Sequence, residues 1–404
     1  MHRRIVRSVV PLLAGALALT AAGVAGASTK TAHVVSHAKP TYTIAYEGPL
    51  SGGNAQLGLN MKFAVQLAIN QANSGKTFGA LPFTLKFTDE DDQGSATQSP
   101  AAAQALIDNS SVVGVVGPAF SGATKAAEPD FSQANLATVS PSATAPALAT
   151  QGWKNFFRVV ADDNAQGPAD AEYVAKVLKD KSVYSIDDAS AYAVGLVSAF
   201  DTAAHSQYKL TVTHDEDPGT TQCQAGTGNV QEYGAEATKV KASGAKVVFY
   251  AGYYCDFALL AKQLRAAGYT GQLMSDDGSL DPHYIAQAGA SVAKGTVISC
   301  ACADISKTTT AKSFVSSFKK LAGFAVGTYS AEAFDATNAI IDVMKGLSKV
   351  TRSAVVTGLH KVDYPGITKT VKFKSNGDIS GTAVYVYKVK GSSLVQLGLV
   401  SSLV

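Results

Sequence analysis

Little in this chain is equipped to do chemistry. There is no G-x-S-x-G elbow, and S-x-x-K at Ser291–Lys294 and Ser316–Lys319 has no companion motif. His33, His37, His205, His214, His283 and His360 stand beside no convincing nucleophile, so an exported hydrolase is not expected. Cys300-Ala-Cys302 lacks the C-x-x-C spacing of a zinc site and no histidine pattern accompanies it. Gly226-Thr-Gly228 lacks the strand–helix setting of a nucleotide loop. The chain reads as no enzyme, with no metal and no cofactor. Charge is scarce too: 16% of residues are charged, with 34 Lys and Arg against 31 Asp and Glu and no basic stripe, which argues against nucleic acid. After the N-terminus no run approaches the ~20 apolar residues that span a membrane. Only four cysteines occur and none precedes Cys223, so a lipid anchor on a cysteine at a mature N-terminus is not expected.

What is present begins with export. Arg3, Arg4 and Arg7 precede an apolar stretch from Val9 to Gly26, and Ala25-Gly-Ala27 gives a small-residue cleavage pattern, so residues 1–27 read as a secretory signal peptide. Residues 28–40 read as a flexible leader. Taking three arginines from 34 basic residues leaves 31 against 31 acidic ones in the mature chain. The expected location is outside the cytoplasm, in a periplasm or at the cell surface. An even cysteine count then suggests two disulfides, and four cysteines allow three pairings. Closing Cys300 on Cys302 would be strained, which points to each of them pairing with Cys223 or Cys255.

At 404 residues and 46% hydrophobic composition, the chain can build two or three cores. From residue 41 strands and helices alternate. TYTIAY, FTLKFTDED, VVGVVG, LATVS and FRVV read as strands. Between them lie helices, the first with Leu59, Phe63, Leu67 and Ala68 at helical spacing; TAPALATQ opens a further one. A second cycle of similar length starts near Gln166, with a break near Ala161-Asp162. Repeated βαβ units predict an α/β protein with parallel, doubly wound sheets in two lobes. The tail differs: TVKFKSNGDIS and GTAVYVYKVKG read as two strands around an Asn376-Gly377-Asp378 turn.

Two strand ends carry the candidate site. In Gly117-Pro-Ala-Phe-Ser121-Gly-Ala-Thr124 an apolar strand ends, the chain turns, and Ser121 opens a helix. Helix N-termini offer unpaired N–H groups and suit a carboxylate. VSPSATAP repeats the arrangement one unit later: Thr144 can cap a helix or bridge to a ligand, and Ser142 can offer its carbonyl to an ammonium group.

Six segments in order resemble a known family: GPLSGGNAQLG, VVGPAFSGAT, VSPSATAP, AYAVGL, VVFYAGYY and SDDG are similar to the leucine/isoleucine/valine-binding proteins of ATP-driven importers, of the type I periplasmic-binding-protein fold. The resemblance implies two lobes joined by three hinge crossings, lobe 1 being 41–161 with 303–375 and lobe 2 being 162–302 with 376–404. It implies a ligand between them. Positions matching Ser121 and Thr144 hold the α-carboxylate, and the Ser142–Ala143–Thr144 stretch helps hold the α-ammonium. Tyr192, Tyr253 and Asp277 match two tyrosines and an acid in the family. A buried zwitterion needs both charges paired, and a carboxylate at 277 would answer the ammonium. Two departures stand out: Asp277 is one methylene shorter than the family's glutamate, and Leu57 replaces an aromatic residue. Leu57 and Phe120 would form an apolar wall. The implied activity is capture of a branched-chain or related aliphatic amino acid by a monomer and its delivery to the membrane permease of an ABC transporter. A sensor or scavenger of the same fold, or a binder of another small polar solute, is the alternative.

Overall fold

A computed structural model describes residues 38–216, 233–306 and 308–404; the expected signal peptide, most of the leader, and Cys223 lie outside them. The β-branched runs VVGVV and VVFYA form strands with every residue buried. Such strands need cover on both faces, and the intervening helices supply it. In chain order the first half runs β1 (Thr41–Gly48), α1 (Ala55–Asn73), β2 (Thr84–Asp91), α2 (Ser99–Asp108), β3 (Val112–Val116), α3 (Ser121–Gln133), β4 (Ala137–Ser140) and β5 (Phe156–Arg158). These strands make one sheet in the order β2-β1-β3-β4-β5, parallel throughout.

The second half runs α4 (Asp163–Tyr173), β6 (Ser182–Asp187), α5 (Ala191–Ser206), β7 (Thr211–Glu216), α6 (Gly234–Ser243), β8 (Val247–Ala251), α7 (Tyr254–Ala266), β9 (Gln272–Ser275), α8 (Pro282–Ala288), α9 (Ala290–Ala293) and β10 (Val297–Cys300). Then α10 (Lys312–Ala322), α11 (Ser330–Gly346) and α12 (Arg352–Leu359) return to the first sheet, where α11 packs against α1, β3 and β4. A small ladder joins β11 (Tyr364–Pro365) to β12 (Thr370–Val371). Finally β13 (Tyr385–Lys390) and β14 (Ser393–Leu399) complete the second sheet, ordered β14-β13-β10-β9-β8-β6-β7, before a terminal turn α13 (Val400–Leu403). The chain thus moves between the sheets three times: after β5, after β10 and before β13. The type I periplasmic-binding-protein architecture is the one expected.

Several local expectations need correction. TAPALATQ forms no α-helix but a single 3-10 turn over Pro146–Thr150, stopped before Gly152 at φ +83°. On α1 the buried stripe includes Leu57, Met61, Ala64, Val65 and Ala68, while Leu59 and Phe63 are only half-buried; α11 and the sheet cover it from two directions. The second sheet is not wholly parallel, since β13 pairs antiparallel with both β10 and β14.

Asn376-Gly377-Asp378 does turn the chain, with the Lys374 N–H donating to the Asp378 carbonyl at 2.7 Å, but its flanks are not a hairpin of the main sheet. The Gly377 carbonyl instead accepts from the Arg158 N–H on β5 at 3.0 Å, and a Cβ on residue 377 would lie 2.1 Å from the Phe156 carbonyl oxygen. That docking ties the turn to the first sheet, while YVYKVK pairs with its own neighbour around Gly391.

The disulfide expectation is also overturned. Cys300 bonds to Cys302, their Cα atoms 5.0 Å apart. Side chains two apart on a strand already share a face, and the bend as the chain leaves β10 brings them close enough to bond. Cys255 is itself disulfide-bonded.

Candidate functional site

The strand ends converge where α/β sheets bind ligands, at the carboxyl edges. Phe120 is extended and α3 starts at Ser121, so the first N–H groups of α3 have no acceptor within the helix. Hydrogen bonds stitch this loop to the one after β4. Ser142 Oγ donates to the Ala119 carbonyl at 2.6 Å, and Ser140 Oγ donates to the Pro118 carbonyl at 2.7 Å. The Ala145 N–H donates to Ser121 Oγ at 3.2 Å, which leaves the Ser121 hydroxyl hydrogen free to donate onward. From behind, the buried guanidinium of Arg158 donates to the Ala143 and Ala145 carbonyls at 3.2 and 2.9 Å and to Asp378 at 2.7 Å. The loop is therefore held rigidly from below.

The facing wall comes from the second sheet. Asp276 and Asp277 follow β9, Tyr192 lies in the first turn of α5, and Tyr253 precedes α7. Asp277 is buried and all of its partners are neutral. Its Oδ1 accepts from Gln166 Nε2 at 2.8 Å and Tyr192 OH at 2.9 Å; its Oδ2 accepts from Tyr329 OH at 2.7 Å. Burial raises its pKa, and the three donors pull it partly back. Asp276 is pushed well above the usual carboxylate range by burial and by its neighbour Asp277. It spends its oxygens on backbone, accepting the N–H groups of Gly252 and Gly278 at 3.1 Å each.

Between the walls lies a small cavity. Leu57, Phe120, Ser121 and Ser142 line it from one side; Tyr192, Tyr253 and Asp277 line it from the other. Ala143 and Thr144 do not reach it: Ala143 packs with Ala145, Leu148 and Phe156, and its carbonyl is taken by Arg158. Thr144 is wholly buried, with its hydroxyl unpartnered. Four further lining residues escaped the sequence reading: Met61, Ala119, Gly278 and Tyr329. Tyr329 precedes α11 in a left-handed conformation (φ 64°), and a Thr-Tyr-Ser stretch before a long helix was its one available signal. Gln166 had none.

Contacts cross between the lobes around the cavity. The Phe120 and Tyr253 rings stack with centroids 4.3 Å apart, and Tyr254 OH donates to the Gly53 carbonyl at 2.7 Å. The Thr328 hydroxyl donates to the Leu280 carbonyl beside the Tyr329–Asp277 bond. The lobes are closed.

The site thus offers helix N–H groups and a serine hydroxyl on one side and a carboxylate on the other, with apolar side chains between. None of the lining side chains pairs a nucleophile with a base. Two α/β lobes closing on such a cavity define a solute-binding protein. The family model described as periplasmic binding protein matches residues 41–393, and the chain belongs to that family. It is 29% identical over 363 residues to Leu/Ile/Val-binding protein homolog 3 of Brucella melitensis, covering 88% of this chain and 93% of that protein. It is 31% identical over 275 residues to an amino acid binding protein of Pseudomonas aeruginosa, covering 68% and 69%. Among solved structures it resembles the branched-chain amino acid transporter substrate binding protein LivJ of Streptococcus pneumoniae in complex with isoleucine. That similarity has a TM-score of 0.77 and 25% identity, covering 89% of this chain and 99% of the other.

Proposed function

We propose that the protein captures a branched-chain or related aliphatic amino acid in this cleft, outside the cytoplasm, and delivers it as a monomer to the permease of an ABC importer. One observation carries the reading: Ser121, at the N-terminus of α3, and Asp277 line opposite sides of one cavity whose remaining wall is mostly apolar and aromatic. A zwitterion with an aliphatic side chain matches that pattern at both poles and along its length. In this reading Ser121 and the N–H groups of α3 take the carboxylate, with Thr144 behind them. Asp277 and the Ser142 backbone carbonyl take the ammonium, with Ala143 and Thr144 behind them. Tyr192 and Tyr253 close over it, and Leu57, Met61 and Phe120 receive the side chain. The lobes are 41–161 with 303–379, and 162–302 with 380–404, the third crossing placed after Ile379 and not after residue 375 because Gly377 bonds to Arg158 on β5. Relatives named for Leu/Ile/Val binding support the ligand class. The transporter assignment of the isoleucine complex favours delivery over sensing. Export rests on the sequence of residues 1–27; among the described residues no helix is long and apolar enough to cross a membrane. Isothermal titration with leucine, isoleucine and valine tests the reading. Saturable binding at one site is expected, and silence across the full amino acid panel would overturn it.

A further inference from the structure

We propose that a second cavity, on the far side of Tyr329 from the amino-acid cleft, binds a small organic amine with an apolar body, its ammonium paired with Glu332. The site stands on its own residues and does not depend on what the cleft takes.

This cavity is larger than the first, about 390 Å³. Both lobes build it. Phe314 and Val315 of α10, and Val326 ahead of α11, come from the first lobe; Leu280 and Pro282 around the start of α8, and Leu394 of β14, come from the second. The second crossing between the lobes runs along it at Cys302 and Ile305. Tyr329 is the one lining residue that the two cavities share. Its hydroxyl is committed to Asp277, which fixes the side chain between them. Walls of this kind receive a hydrocarbon body the size of one ring.

Charge decides the class of occupant. The described lining residues include two acids, Asp304 and Glu332, and no Lys, Arg or His. Glu332 lies in the first turn of α11, is 2% exposed, and leaves its Oε1 without a hydrogen-bond partner. Buried carboxylate oxygens are normally paired, so this one is an acceptor in want of a donor.

The groups around Glu332 do not supply that donor. Lys369 faces it, yet the Lys369 ammonium donates to the Val159 carbonyl at 3.0 Å and makes no ion pair among the described residues. The Tyr387 hydroxyl on β13 donates to the Cys302 carbonyl at 2.9 Å. Asp335, a turn further along α11, is a second acid and accepts the N–H groups of Ile367 and Thr368 at 2.7 and 2.8 Å. Asp304, half-buried, accepts the Ser306 N–H at 2.9 Å. Burial accordingly pushes the Glu332 carboxyl up to about 7, against the pull of Lys369 and of its own N–H, so it ionises readily once a cation arrives.

An ammonium offers three N–H donors and a compensating charge. A free carboxylate would meet two acids and no base, so the cavity disfavours the zwitterions that suit the cleft. The two sites therefore select different chemistry.

The test titrates 2-phenylethylamine into leucine-saturated protein at about pH 8, with 2-phenylethanol, in which a hydroxyl replaces the ammonium, as the control. Saturable binding of one amine per chain is expected. E332Q should weaken the amine about 10-fold or more and leave the alcohol within about twofold. Between about pH 8 and pH 6 the amine affinity of the unaltered protein should fall about tenfold, as Glu332 takes up its proton while the amine stays charged. Ser392, exposed in the turn between β13 and β14, lines the cavity, so S392W should block the amine and leave leucine affinity unchanged; it decides the matter if E332Q does not fold. No saturable binding of the amine at millimolar concentration would overturn the proposal. So would equal effects of E332Q on amine and alcohol, or competition between amine and leucine, which would place the amine in the cleft. If leucine itself does not bind, the reading of the cleft fails, while the dependence of amine binding on Glu332 still decides the second site.

Discussion

Replacing Asp277 by asparagine should move affinity and stability in opposite directions. Asparagine keeps the shape of the side chain. Its carbonyl can still accept from Gln166 and Tyr192, and the Tyr329 hydroxyl can rotate to accept from the new amide. The fold therefore persists. What is lost is the negative charge facing the ammonium. Hydrogen bonds to charged groups contribute about 1.5–3 kcal/mol, so the Kd for leucine should rise about 10- to 150-fold.

Stability follows from the raised pKa. An acid whose folded pKa lies above its unfolded value of about 3.9 costs stability once the pH exceeds that value, because the unfolded chain ionises it more easily. At neutral pH removing this charge should stabilise the ligand-free protein and raise its melting temperature. Below about pH 4, where the unfolded acid is protonated too, the gain should vanish. Titration calorimetry with leucine and ligand-free melting at pH 7 read the two effects. Leucine affinity within about twofold of wild type, or a ligand-free midpoint several degrees lower, would refute the reasoning.

Tyr329→Phe removes one hydrogen bond to Asp277 across the lobes; the expected loss of about 1 kcal/mol weakens leucine about fivefold and enlarges the radius of gyration of the ligand-free protein in X-ray scattering, and an unchanged value for both would contradict the contact. Burial pushes Glu128 up to about 8 and both Glu332 and Asp92 up to about 7. Each group is protonated more readily folded than unfolded, so ligand-free melting temperature should fall between about pH 4 and pH 8, and Glu128→Gln should flatten the upper part of that fall. Peptide mapping without reduction should place Cys300 and Cys302 in one internally bridged peptide, and a bridge from either to Cys255 would contradict the structure.

The alternating pattern was legible because strands such as VVGVV and VVFYA carry a continuous apolar signal that only a doubly covered parallel strand uses. Ser121 was legible for a related reason: a serine after a strand and a glycine–proline turn marks a helix start, and the fold brings helix starts to the strand ends. Other features depended on contacts far along the chain. Gly377 docks on Phe156, more than two hundred residues away, and that docking moved the last turn from one lobe to the other. Tyr329 reaches Asp277 only because α11 returns from the second lobe to the first. The Cys300–Cys302 bridge needs a bend directly after β10, which strand periodicity does not announce. Thr144 carried the right residue type at the right turn, yet its hydroxyl faces Asp163 instead of the cavity, a placement set by α4 from the other lobe.

The central claim is that the cleft grips a zwitterion by both charges at once. Titration of one sample with leucine, with 4-methylpentanoate and with 3-methylbutylamine tests it most directly, since the two analogues each keep the side chain and lose one pole. The account predicts leucine tighter than either analogue by about 100-fold or more, as expected when a buried charge is left without its partner. Either analogue binding within a few-fold of leucine would contradict it.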